Sequence, residues 1–66
     1  MNLHEFKPGQ WVLYIPDHAT GDPDHEDCEN GIVTDITELF VFVKYISRGE
    51  LQATAKATHP KNLMKL

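Results

Sequence analysis

Leu39-Phe40-Val41-Phe42-Val43-Lys44-Tyr45-Ile46, then Ser47-Arg48-Gly49-Glu50, then Leu51-Gln52-Ala53-Thr54-Ala55-Lys56-Ala57-Thr58, is the stretch on which the fold turns. The first eight residues are dominated by β-branched and aromatic side chains, which suit a strand. Its two faces are Leu39/Val41/Val43/Tyr45 and Phe40/Phe42/Lys44/Ile46. The next four carry a glycine free to take positive φ, as a hairpin turn requires. The last eight alternate: Leu51, Ala53, Ala55 and Ala57 on one face, Gln52, Thr54, Lys56 and Thr58 on the other. Their Ala, Leu and Lys content also suits a helix, but the strict period of two and the strand before them favour a hairpin. Small residues on the inner face would leave room for Phe40 or Phe42 to fill the interior.

Working outward, Gly31-Ile32-Val33-Thr34-Asp35-Ile36-Thr37 reads as another strand, joined to the hairpin by a tight connection at Glu38. Gln10-Trp11-Val12-Leu13-Tyr14-Ile15 follows the turn signal Pro8-Gly9 and is closed by Pro16, which has no N–H for a ladder. Met1 to Lys7 reads as a short arm. At the other end, His59-Pro60-Lys61-Asn62-Leu63 suits a single 3₁₀ turn, and Met64-Lys65-Leu66 a short last strand. Between the first two strands lies a polar loop, residues 17–30, of a length that tends to be functional or mobile. The expectation is an all-β chain of five strands with one long loop.

A chain of 66 residues has room for one domain. Such a domain buries only about 60% of the surface of its unfolded chain, so a metal, a partner or oligomerisation is a natural supplement to its core. Hydrophobic residues make up 41% and charged residues 24%, the balance of a globular protein. One cysteine, Cys28, excludes an internal disulfide and favours a reducing compartment. No apolar run reaches the length of a membrane span, and the first residues lack the pattern of a signal peptide. A cytoplasmic chain with no membrane partner is expected. Net charge is −4, and six of the ten acids (Asp17, Asp22, Asp24, Glu26, Asp27, Glu29) fall within residues 17–29. The bases are scattered, unlike the basic patch that neutralises phosphates.

The order strand, long loop, three-strand meander, helical turn, short strand is similar to the plan of SH3-like barrels. Pro60-Lys61-Asn62-Leu63-Met64-Lys65-Leu66 resembles the Pro-x-Asn-aromatic turn by which SH3 domains close. The resemblance implies a small five-stranded SH3-like barrel over residues 1–66. Leu63 stands where SH3 domains present an aromatic, and no tryptophan opens the third strand. The similarity therefore extends to the fold and not to proline-rich recognition. A second pattern is His18-x-x-Gly21-Asp22-x-x-His25-x-Asp27-Cys28-Glu29-x-Gly31-x-Val33, with Val41-Phe42-Val43-Lys44-Tyr45 and Ala57-Thr58-x-Pro60-x-x-Leu63 after it. It resembles small uncharacterised proteins of bacteriophages and prophages. That likeness implies a phage or prophage setting in a bacterial host and a shared loop architecture, and nothing about catalysis.

His18, His25 and Cys28 share one loop, and imidazole and thiolate are natural ligands of zinc. Asp22, Asp27 or the distant His59 would supply a fourth ligand, and the surrounding carboxylates favour a dication. The paired spacings of familiar zinc motifs are absent, and the plainer reading makes the histidines hydrogen-bonding groups and Cys28 a small buried residue entering the second strand. As a nucleophile Cys28 would need His25 or His18 as its base, but neighbouring carboxylates raise a thiol's pKa, against reactivity. Asp22-x-Asp24-x-Glu26 starts like a calcium-binding EF-hand loop, yet Asp27 and Val33 stand where that loop needs glycine and glutamate. Among the aromatics, Trp11, Phe40 and Phe42 are expected in the core, and Tyr14 and Tyr45 at the surface, where their hydroxyls meet water. With Asp22, Asp24, Glu26 and Asp27 the two tyrosines would form a patch for a basic or methylated peptide, in the manner of Tudor-type barrels.

The chemistry favours a non-enzymatic module that meets a protein partner through the acidic loop and the adjacent barrel face. Two alternatives stay open: a nucleic-acid-associated module using Lys44, Arg48, Lys56 and Lys61, and a domain whose loop is stabilised by zinc. Oligomeric state is not legible.

Overall fold

In the computed structural model, which describes residues 6–66, the chain is all-β. Its elements are β1 (Trp11–Tyr14), β2 (Glu29–Ile36), β3 (Val41–Ser47), β4 (Glu50–Leu51), β5 (Lys56–Thr58) and β6 (Leu63–Lys65). Two 3₁₀ turns, Asp17–Ala19 and Pro60–Asn62, precede β2 and β6. All pairings are antiparallel, in the order β4-β3-β2-β1-β6, with β5 also on β3. Among the described residues no ladder joins β5 to β6, so the sheet is open. It consists of six short strands rather than the expected five.

The core lies on one face of this coiled sheet. Val12, Val33, Val41 and Val43 are fully buried, and Phe6 and Tyr45 complete the cluster. Alternation explains the choice: Val41, Val43 and Tyr45 are every second residue of β3. Gly31, opposite Tyr45, is required by close approach, since a Cβ there would collide with a Val43 methyl and the Tyr45 ring. A bulge between Val33 and Asp35 inserts Thr34 into β2. It changes the phase of the strand, so that Ile36 and not Asp35 returns to the core. The β3–β4 turn places Arg48 and Gly49 at φ 55° and 79°, the handedness a two-residue hairpin needs.

Several expectations are corrected here. Phe6, assigned to the arm, is a core residue; residues 1–5 lie outside the described residues. The rings expected in the core are not the ones it takes: Trp11 is 46% and Phe40 41% exposed and Phe42 half-buried, while Phe6 and Tyr45 join the valines. Leu39 and Phe40 belong to the β2–β3 turn, where Thr37 Oγ1 accepts from the Phe40 N–H at 3.0 Å. That side-chain acceptor closes the turn before β3 begins. The strand expected over 51–58 breaks into β4 and β5, because the alanines between offer little area to bury and little strand preference. Its phase is also inverted: Leu51 and Ala57 face outward, opposite Ile46 and Phe42, while Thr58 is buried. Tyr45, expected at the surface, is 6% exposed and satisfies its hydroxyl internally, on Thr58 Oγ1 at 2.6 Å. A buried phenol with a partner is as stable as a solvated one, and its ring adds apolar area to a small core.

Candidate functional site: an aromatic cleft at the root of the acidic loop

Burying Tyr45 through Thr58 leaves a cleft of about 320 Å³ at one end of the sheet. Tyr14 and Tyr45 meet there edge to face, with centroids 5.7 Å apart and planes at 66°. Register brings Glu29 beside them, because it is the β2 partner of Tyr14. The rest of the lining comes from Lys56, Ala57 and Thr58 of β5, then His59 and Asn62 at the second 3₁₀ turn. Desolvation by burial pushes the Tyr45 hydroxyl up to about 12, so the phenol stays neutral and acts only through hydrogen bonds at ordinary pH.

Both ends of the acidic loop sit on the rim of this cleft. At its start, the Asn62 side-chain amide donates to the Ile15 carbonyl at 2.9 Å and to Asp17 Oδ1 at 2.8 Å. That amide first, and Lys61 after it, hold the exposed Asp17 carboxyl below the ordinary carboxylate range. At its end, Cys28 leads straight into Glu29. Between them the loop is built from turns. Ala19 N–H donates to Pro16 O, Asp22 to Ala19, His25 to Asp22 and Cys28 to His25, at 2.9–3.2 Å. The closure recurs every three residues, with positive φ at Thr20 and Gly21 where the chain reverses. Pro16 and Ala19, both buried, anchor it. The long polar loop is thus a series of closed turns.

The candidate residues divide into three groups. Tyr14 and Tyr45 do come together, though as a half-buried and a buried ring forming the cleft. Asp22, Asp24 and Glu26 lie exposed on the loop, Asp22 accepting from the Asp24 N–H at 2.9 Å. Asp27 turns inward along the loop, its Oδ2 2.6 Å from His18 Nε2 and 4.0 Å from His25 Nδ1. Of the three metal-ligand candidates, His18 and His25 are therefore adjacent. Cys28 is not with them, and its thiol donates instead to the Asp22 carbonyl at 3.4 Å. His59 is occupied elsewhere, its Nδ1 accepting from the Lys61 N–H.

The basic residues remain dispersed. Lys44 is on the outer face opposite Ile32, Arg48 is in the β3–β4 turn, Lys56 is at the cleft, and Lys61 stands 3.9 Å from Asp17. Glu29, Thr58 and Asn62 were not singled out by the sequence as site residues. The Pro60-x-Asn62 turn was a signal for Asn62; Glu29 required the β1–β2 register, one strand end earlier than the hydrophobic pattern suggests. Among the described residues no helix is long and apolar enough to cross a membrane. Compared with protein-family models, curated proteins and solved structures, the chain matches none.

Proposed function

We propose that this chain is a non-enzymatic binding module of SH3-like plan, a phage or prophage accessory protein acting in the bacterial cytoplasm. It takes a protein partner at the Tyr14/Tyr45 cleft and the acidic loop. The carrying observation is the position of the cleft: both ends of a loop rich in carboxylates start from its rim. A basic side chain of a partner entering the cleft would meet the edge-to-face tyrosines and Glu29, while loop acids steer its approach. Lys56, also lining the cleft, suits a backbone carbonyl or acidic neighbour in the same segment. The SH3-like reading is supported by a last strand that follows a 3₁₀ turn and pairs back on β1. Against catalysis, the Cys28 thiol is spent on a carbonyl rather than on an imidazole.

The test is selection from a displayed random-peptide library on the wild-type chain, counter-selected on Glu29→Lys. Enrichment of Lys- or Arg-containing peptides that shift the amide resonances of Tyr14, Glu29 and Asn62 supports the assignment. Absence of enrichment, or shifts confined to other faces, overturns it. Salt-dependent binding of a DNA duplex through Lys44 and Arg48 would place the nucleic-acid reading first.

A further inference from the structure

We propose that His18, His25 and Asp27 form a binding site for a borderline dication of the zinc type. One ligand atom from each of the three lies within 4.8 Å of the others. Ligand atoms on a shared tetrahedral ion stand roughly 3.3 Å apart for bonds of about 2.0–2.1 Å. The observed spacings of 2.6 Å for His18–Asp27 and 4.0 Å for His25–Asp27 bracket that value. Rotation about side-chain torsions is enough to reach it, because the His18 and Asp27 side chains are 62% and 56% exposed. The two imidazole rings already stand edge to face at 5.3 Å and 80°.

The donor set decides the class of ion. Two imidazoles with one carboxylate suit zinc, nickel, cobalt or copper, whereas calcium and magnesium take oxygen ligands. Three protein ligands leave a coordination position open, and the exposure of this site puts water there. Binding asks for modest changes. His18 Nε2, now placed to donate to Asp27, becomes a ligand by moving its proton to Nδ1 or releasing it. His25 Nδ1 accepts from the Asp27 N–H at 3.0 Å, so it is the unprotonated nitrogen, and its ring must turn away and give up that bond for the lone pair to reach an ion. The turn series supplies the scaffold, bringing residues seven and nine positions apart into one cluster. Cys28 stands outside the set, which separates this site from the sequence-level one.

The test uses the tag-free full chain, stripped with a chelator and titrated with zinc chloride by calorimetry and native mass spectrometry. Expected are one zinc per chain, binding weakened about tenfold or more in His18→Ala and in His25→Ala, and unchanged binding in Cys28→Ser. Cobalt loading is expected to show no thiolate-to-cobalt charge-transfer band. Magnesium in excess leaves the zinc isotherm unmoved. Unchanged thermal midpoints of the metal-free variants keep the comparison free of folding losses. Lack of saturable binding overturns the proposal, and so does binding that survives both histidine variants or is lost in Cys28→Ser.

Discussion

The sheet and the acidic loop are held by different physics. In the sheet, long-range backbone ladders are joined to a packed core: four fully buried valines, Phe6 and Tyr45 come from β1, β2, β3 and the segment before β1. In the loop from Asp17 to Cys28 local hydrogen bonds do it, through turn closures at Ala19, Asp22, His25 and Cys28 with side-chain bonds from Asp22 and His25 beside them, and only Ala19 is buried. Loop side chains are thereby left out of the core, some closing turns locally as Asp22 and His25 do, and that is where histidines and carboxylates collect. Function concentrated on a loop positioned by a packed scaffold is a common division of labour. Here the scaffold is small enough that the division can be measured directly.

The largest effects are expected in the sheet. Val43→Ala removes two buried methyls at the centre of the core and should cost about 2–3 kcal/mol. A domain of this size rarely has more than ~3–5 kcal/mol to lose, so urea titration should show most of the cooperative transition gone. Gly31→Ala should act by the opposite defect, overpacking against Val43 and Tyr45, at about 1–3 kcal/mol. Full stability in either variant would break the contrast.

Alkali gives the next test. Tyr45 ionises near pH 10 when unfolded and about 12 when folded. Between those values the unfolded chain releases a proton that the folded chain keeps. Stability is therefore complete below pH 10 and falls between pH 10 and 12, by about 2 kcal/mol. Tyr45→Phe should flatten that fall while costing about 1 kcal/mol at neutral pH through the lost bond to Thr58. Equal pH profiles for the two proteins would contradict the buried position of the phenol.

Asn62→Ala tests the join between the regions, since this amide reaches both the Ile15 carbonyl and Asp17. About 1–2 kcal/mol is expected, with hydrogen exchange accelerated at Ala19 and Thr20 more than at Val43. Uniform acceleration would mean that loop and sheet open as one unit. The smallest effect belongs to the loop itself: His18→Ala should change stability by no more than ~0.5 kcal/mol without metal. A larger loss in a thermal melt would show that the histidine–aspartate contact carries structure.

How much could be read in advance follows the same division. Strands β1, β2 and β3, the Arg48-Gly49 turn and the Pro60–Asn62 turn were legible, because period-two hydrophobicity and Gly/Pro signals are local. The direction of residues 51–58 was not. Alanine faces either way at little cost, and the deciding contact, Tyr45 to Thr58, spans thirteen positions. The same contact hid the cleft, since Tyr45 had to be buried before Lys56 and His59 could become its wall. In the loop, residue types pointed to a metal, but composition could not separate Cys28 from Asp27 as neighbours in sequence. Only the turn at His25–Cys28, which sends the thiol to Asp22 and the carboxylate to His18, does so.

An open sheet has two margins, and both are cut short. On one side β6 offers three residues, and on the other β4 and β5 offer two and three with an interruption between them. Lys65 and Lys56 stand on these margins, exposed. Short, interrupted, charged edges are poor templates for a strand from another molecule. Among the described residues, the alanine-rich gap that spoils β4–β5 as a single strand thus leaves no long edge, a geometry that works against fibrous growth.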